Sequence, residues 1–516
     1  MIKILHVLIC GLSMCIRAES QQIIPLPQKM SFGTDSFVIN KTTVINAPKD
    51  LLDEAETFQR QLENLTGYHL LINERSQKSN AIILVKQNLT TGDGSYNINI
   101  TKTTITLTAA DKKGMFYGCV SLLQLMPVPG AKTGIRGTTV SIPSASISDF
   151  PRFKWRGLML DLSRTFMSPD YIKRTISRMA FYKLNVLHLH LTDDQGWRLP
   201  VKSYPLLNKK ASTFDTSFHE PKEFQGFYTP GDIKDILSYA SSMHVEIIPE
   251  IESPGHSHAP LFAYPELSCN GNISPIFPFF SGQSVTDDVF CVGNPGSLKF
   301  FRAVITETAS LFPSEYIHLG GDEVSRTEWE KCKKCQALVQ SAKLENTSAL
   351  QGYFMQQLHD HVVKEGKRPI AWDEILHDNK FLTKDWVIMS WTGSKPGLEA
   401  AAKGYDVVMT PTSHMYFDYP YDLINTKKVF EFDPVAGANA DTIRKHVLGI
   451  QANFWSHIDR TQSKTDYQLY PRLLGLSERA WSSADNKDYE NFRRRKLYHK
   501  HWLDYMDVKY YGGDFR

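Results

Sequence analysis

The stretch Tyr316-Ile-His-Leu-Gly-Gly-Asp-Glu-Val324 decides the fold. Tyr316, Ile317 and Leu319 are β-formers in a short apolar run, which predicts a strand. Gly320-Gly321 ends it, at a point where the backbone turns tightly or lets a ligand approach. Two adjacent carboxylates follow, Asp322 and Glu323. Successive strand residues face opposite ways, so the two side chains are expected to diverge, one holding a substrate and the other reaching a scissile bond. An acid pair on a glycine turn at a strand end is where a barrel enzyme places its chemistry. The plain alternative is a solvated pair at a turn, and the flanking sequence decides between them.

On both sides of this stretch, strand-like runs alternate with amphipathic helices. Leu158–Leu162 precedes a helix over 169–182, and Val186–Leu191 precedes one over 229–243. Val245–Ile251 precedes a helix over 296–311, and Tyr316–Leu319 one over 350–365. Pro369–Trp372, Val387–Trp391, Asp406–Thr410 and Val447–Asn453 complete the set, with a last helix over 467–481. Eight strands in this alternation predict an α/β fold, a (β/α)8 TIM barrel with long loops, over residues 151–516. A doubly wound sheet is the rival, but no glycine-rich phosphate loop follows the first strand.

Residues 19–150 read as a small α+β domain. Ile23–Pro27 is expected as an extended edge, with strands at 43–46, 81–85, 96–100 and 103–108 and helices at 51–65 and 113–125. Ser146–Phe153 is expected to carry the chain across to the barrel. Residues 1–18 read as an export signal: a charged Met1-Ile-Lys3, an apolar run from Ile4 to Ile16, and Ile16-Arg-Ala18 as a cleavage site. Export implies a periplasmic, secreted or lysosome-like protein, with lipidation at Cys15 as the rival.

With 58 basic and 55 acidic residues in 516, the net charge is +3. That near balance argues against a nucleic-acid partner, and no later apolar run is long enough to span a bilayer. Of the five cysteines beyond the leader, Cys269 and Cys291 flank a Pro/Phe/Gly-rich loop and are expected to form a disulfide. Cys332-Lys-Lys-Cys335 is open to three readings: a small disulfide loop, a redox pair or half a zinc site. The absence of a second CxxC weakens zinc. Cys119 falls in an apolar helical pattern and is expected as a buried thiol.

In a barrel the C-terminal strand ends build the active site. Here they carry Asp161 and Arg164; His190, Asp193 and Asp194; Glu250, Glu252 and His256; then Asp322 and Glu323. Trp372-Asp-Glu374, Trp391, Tyr416-Phe-Asp418 and Trp455-Ser-His457 follow. Three tryptophans and a tyrosine converging on one face suggest a box for a sugar ring, with the charged groups gripping its hydroxyls. A metal reading of His188, His190 and His256 matches no standard zinc spacing.

Four segments carry a resemblance: His318-Leu-Gly-Gly-Asp-Glu-Val324, Trp155-Arg-Gly-Leu-Met-Leu-Asp-Leu-Ser-Arg164, His188-Leu-His-Leu-Thr-Asp-Asp-Gln-Gly-Trp197 and Pro249-Glu-Ile-Glu-Ser-Pro-Gly-His256. They resemble the motifs of glycoside hydrolase family 20, the β-N-acetylhexosaminidases, in order and spacing, and the likeness runs from about residue 23 to the C-terminus. It implies an exo-acting, retaining hydrolase of glycans ending in β-linked N-acetylglucosamine or N-acetylgalactosamine, needing no metal or cofactor. The catalysis it implies is substrate-assisted, through an oxazolinium ion. By position, Asp322 resembles the residue that orients the acetamido group, and Glu323 the general acid and base. Glu323 is then expected to have a raised pKa, from its acidic neighbour and partial burial. Asp193 and His256 resemble the groups supporting this pair. Trp372, Trp391 and Trp455 resemble the pocket walls, Tyr416 the donor to the acetamido oxygen, and Arg164 and Asp418 the grips on the sugar hydroxyls. One position departs: His457 stands where the family commonly has Glu, which opens the question of a 6-sulfated sugar. A disaccharide-releasing enzyme and a catalytically dead sugar-binding barrel are the rival functions.

Overall fold

Eight short parallel strands close on themselves in chain order: Trp155–Asp161, Val186–His190, Glu246–Glu250, Tyr316–His318, Arg368–Trp372, Val387–Ser390, Asp406–Met409 and Val447–Phe454, the last pairing with the first. This computed structural model describes residues 22–74, 79–127, 135, 140–281, 287–457 and 460–515, so the leader expected over 1–18 lies outside the described residues. The first, second and sixth barrel strands are buried along their whole length. Coverage on both faces makes them rich in apolar residues, and the polar residues they carry, such as Arg156, His188 and His190, are buried as well.

The connecting helices begin where side chains satisfy their free amides. Ser168 accepts from the Tyr171 amide ahead of Pro169–Phe181. Thr229 and Asp232 form a capping box at the start of Pro230–Ser242, and Asn294 caps Pro295–Leu311. Each of these helices has proline at its first position, where no backbone donor is lost.

Before the barrel lies a seven-stranded sheet: β1 (Lys29–Ile39), β2 (Val44–Asn46), β3 (Leu71–Asn73), β4 (Ala81–Lys86), β5 (Tyr96–Ile100), β6 (Thr104–Ala109) and β7 (Val140–Asp149). Its order is β1-β7-β5-β6-β4-β2-β3. Two expectations are corrected here. Ile23–Pro27 is not the edge strand; β1 is, and Ile24 instead exchanges two backbone hydrogen bonds with the Gln124 side chain at 2.9 Å each. Nor is 146–153 merely a crossing segment, because β7 runs inside the sheet between β1 and β5. A register shift between Phe32 and Ser36 breaks the two-residue period, which hid both strands. The last expected helix is two, Gln462–Leu469 and Arg472–Trp481, because Pro471 supplies no amide to continue the first.

The sheet and barrel share a buried polar junction. Lys183, after the first barrel helix, donates to Asp149 at the end of β7 at 3.0 Å, and both side chains are fully buried. Trp481 donates to the same carboxylate at 2.9 Å. The Arg156 guanidinium reaches Tyr117 at 2.8 Å and stacks over Trp481.

Cys119 is buried in the helix Lys112–Gln124, as expected. The disulfide between Cys269 and Cys291 is not present: all five cysteines of the described residues are free. The two do lie side by side, but Cys332 and Cys335 fold back onto them, and the four sulfurs lie within 4.8 Å of one another. Sequence distance concealed that gathering.

Candidate active site

The turn after the fourth barrel strand is left-handed at three of four positions: Gly320 at φ +68°, Gly321 at +96° and Glu323 at +48°. A Cβ on Gly320 would sit 1.7 Å from the Glu252 carboxylate, so the Gly-Gly pair is a steric requirement. Glu323 is not a glycine, and its backbone is strained. Its amide donates to Glu374 at 2.9 Å, which helps hold it there.

Asp322 and Glu323 do not diverge as strand alternation implied, because both lie beyond the strand, on this turn. They converge on one imidazole. His256 Nε2 is 3.7 Å from Asp322 and 3.5 Å from Glu323, while its Nδ1 faces Asp193 at 3.4 Å and Asp194 at 3.6 Å. Asp322 is buried and Glu323 largely exposed at the pocket mouth.

This arrangement separates the two acids. Burial, and then the neighbouring Glu250, Glu323 and Glu374, push the Asp322 carboxyl up to about 7 against the opposing pull of His256. The hydrogen bond from His256 holds Glu323 below the usual range, against partial burial. That reverses the expectation of a raised Glu323: the raised member is Asp322. Burial works against a charge on His256, yet Asp193, Asp194 and Glu323 lift its pKa well above that of a free imidazole. Burial, and then the neighbouring Asp322 and Glu250, push the Glu252 carboxyl well up.

Beneath the pocket, Glu250 binds His188 at 3.0 Å, His318 at 2.8 Å, and His190 by a short contact. His190 passes to Asp193 at 2.7 Å. Asp193 also takes Arg164 at 2.8 Å; although buried, it is held well below the usual carboxylate range by Arg164 and His256. His188, His190 and His256 are therefore all engaged with carboxylates.

Nine of the eleven anticipated site residues line one cavity of about 300 Å³: Arg164, His256, Asp322, Glu323, Trp391, Tyr416, Asp418, Trp455 and His457. The other two lie behind it. Asp193 contacts Arg164 and His256, and Trp372 packs its ring 6.2 Å from Trp455. Trp391 and Tyr416 stack at 6.3 Å, and Arg164 lies over Trp455 at 5.0 Å. His457 Nε2 is 3.6 Å from Asp418. Phe279, Thr412 and Tyr419 also line the cavity and were not anticipated. Phe279 packs on the His457 ring at 5.2 Å, and its only trace in the sequence was the aromatic richness of its loop. Several buried polar atoms here have no partner among the described residues, including Asp322 Oδ1, Asp418 Oδ1, Trp372 Nε1 and Trp391 Nε1. Such atoms pay for burial only when a ligand satisfies them.

A pocket walled by aromatic rings, with one acid buried and its neighbour at the mouth, suits a sugar, and comparison with known proteins agrees. Residues 153–484 match the model of the glycosyl hydrolase family 20 catalytic domain, and residues 20–150 match domain 2 of the same family. The chain belongs to glycoside hydrolase family 20. A β-hexosaminidase of Porphyromonas gingivalis is 36% identical over 492 residues, covering 92% of this chain and 62% of that protein. One from Vibrio furnissii is 31% identical, over 91% of this chain and 77% of its own. Among solved structures, the family 20 exo-β-N-acetylglucosaminidase of Vibrio harveyi in complex with N-acetylglucosamine superposes with a TM-score of 0.85 at 30% identity, covering 95% of this chain and 78% of that one. A mutant Streptomyces plicatus β-hexosaminidase in complex with product (GlcNAc) gives 0.84 at 28% identity, over 95% and 96%. This family 20 chain thus spans a little over three fifths of the Porphyromonas relative.

Proposed function

We propose that the protein is an exo-acting β-N-acetylhexosaminidase that removes terminal N-acetylglucosamine or N-acetylgalactosamine by substrate-assisted catalysis. The observation that carries this is the pairing of a buried Asp322 with a mouth-facing Glu323 on one turn, inside an aromatic box of about 300 Å³. A pocket of that size suits one pyranose, which favours exo cleavage over release of a disaccharide. Both acids are present, which speaks against a dead binding barrel. The leader-like residues 1–18 support export.

In this scheme the substrate's acetamido oxygen attacks C1 as the C1–O bond breaks, and Glu323 gives its proton to the leaving oxygen. An oxazolinium ion results. Water then attacks C1 and passes a proton to Glu323, retaining the configuration. Asp322 orients the acetamido group and balances the charge that develops on its nitrogen, with Tyr416 donating to its oxygen. Glu323 starts with low proton affinity beside His256; a sugar seated over it excludes water and raises that affinity.

The test uses aryl N-acetylglucosaminide, a natural glycoside and a thiazoline mimic of the intermediate. Glu323→Gln is expected to lose nearly all turnover of the natural glycoside and less of the aryl substrate. Asp322→Asn is expected to lose ~10²-fold or more in kcat and to bind the thiazoline poorly. Natural glycoside cleavage at the wild-type rate by Glu323→Gln, or equal thiazoline affinity, would refute the assignments.

His457 supports a finer reading, tolerance of a 6-sulfate. A carboxylate at this place would repel the anion, whereas imidazole does not. Burial pushes Asp418 up to about 7, so this nearby acid loses its charge in mildly acidic solution. Burial and Arg164 lower the pKa of His457 itself. The 6-sulfated aryl substrate is therefore expected to be cleaved, best at acidic pH, and His457→Glu to remove that activity selectively. No cleavage at any pH would end the reading.

A further inference from the structure

Cys269, Cys291, Cys332 and Cys335 lie away from the catalytic cavity, and no step of the proposed reaction uses them. Cys291 Sγ is 3.7 Å from both Cys332 and Cys335, and Cys269 Sγ is 3.9 Å from Cys335. A tetrahedral zinc with Zn–S bonds of ~2.3 Å sets its sulfurs about 3.8 Å apart. These three spacings match the edges of such a tetrahedron, and all four sulfurs lie within 4.8 Å of one another. Connectivity points the same way. Cys291 faces two sulfurs at 3.7 Å and Cys335 faces two at 3.7 and 3.9 Å, which a shared central ion explains and a pair of disulfides does not.

The surrounding backbone builds the site. Ser268 and Phe290 form an antiparallel bridge, and the Cys291 amide donates to Leu267 at 2.8 Å. These contacts bring Cys269 and Cys291 together at the base of their loop. Cys332 caps the helix Lys333–Ser341 and Cys335 sits in its first turn, so the CxxC presents both sulfurs to the same side. Gly293 lies against this turn; a Cβ there would meet the Lys334 carbonyl carbon at 2.3 Å. Trp329 is fully buried nearby and donates to Phe290 at 2.9 Å. Cys291, Cys332 and Cys335 are buried and Cys269 only half so, which leaves an entry path.

We propose that these four cysteines bind one zinc ion as a closed structural centre. Four soft thiolates in a tetrahedron select zinc or iron among common metals, and four protein ligands leave no open position for chemistry. The ion would fasten the loop after the third barrel strand to the segment that follows Asp322-Glu323. CxxC alone was half a site in the sequence; the fold supplies the other half.

The full chain, purified without chelator or added metal, is expected to hold one zinc per molecule by mass spectrometry of its metals. Peptide mapping in denaturant with chelator is expected to find all four cysteines as free thiols. Cobalt replacement is expected to give thiolate-to-cobalt absorption with the intense visible bands of a tetrahedral site. Cys332→Ser/Cys335→Ser is expected to lose the metal, while Cys119→Ser keeps it. If the double variant does not fold, the cobalt spectrum of the unaltered chain decides. Disulfides among the four, free thiols that take up neither zinc nor cobalt, or iron as the resident metal would each overturn the proposal.

Discussion

His256 is the residue on which the acid chemistry turns, since its two nitrogens face two carboxylates each. Its positive charge lowers the proton affinity of Glu323 and opposes the rise at Asp322. Replacing it with a neutral amide therefore raises both. His256→Asn is expected to move the pH profile of kcat/KM to higher pH, because the acid keeps its proton over a wider range. A mere loss of packing would lower the rate without moving the profile, so an unshifted profile refutes the role. The sequence made His256 and the two acids legible because each sits at the end of an apolar run. It did not reveal the direction of the Glu323 shift. That direction depends on an imidazole 67 positions earlier in the chain, and adjacency to Asp322 was the only neighbour that could be read.

At the scale of an element, the turn after the fourth strand carries the site, and its geometry rests on Gly320. The position combines φ +68° with the Glu252 carboxylate where a Cβ would go. Gly320→Ala must shift either the turn or Glu252, and misplacing a catalytic group by about 1 Å costs ~10²-fold in rate. Gly320→Ala is expected to lower kcat by that order while the purified protein stays folded by circular dichroism. Wild-type kcat would show that the turn relaxes freely. The barrel strands were readable because burial on both faces keeps them rich in apolar residues. β1 escaped because most of it is solvent-facing, and β7 because its register shifts beside Pro143. Phe279 escaped for another reason: nothing local fixes a loop residue that is positioned by packing on His457 from a distant strand end.

At the scale of the whole molecule, the two units are joined through charge as well as apolar surface. Asp149 is the hub. It accepts from Lys183 and Trp481 and makes a short contact with the Tyr96 hydroxyl, all out of water. Burial lowers the Lys183 pKa, and Asp149 pulls against that shift. Removing Asp149 alone strands a buried ammonium, a change that typically costs about 3–5 kcal/mol. Asp149→Ala is therefore expected to destabilise the fold by that amount in denaturant unfolding, and to loosen the sheet from the barrel. Removing both charges leaves no ion uncompensated. The double variant Asp149→Ala/Lys183→Met is accordingly expected to be more stable than Asp149→Ala, with the two substitutions clearly non-additive. The helix that Lys183 follows was visible in the sequence, but β7, which bears Asp149, was not, and neither was the pairing, since it depends on how sheet and barrel meet. Additive losses in the double variant would show that Asp149 serves only its hydrogen bonds to Tyr96 and Trp481, and that the junction does not depend on the charge.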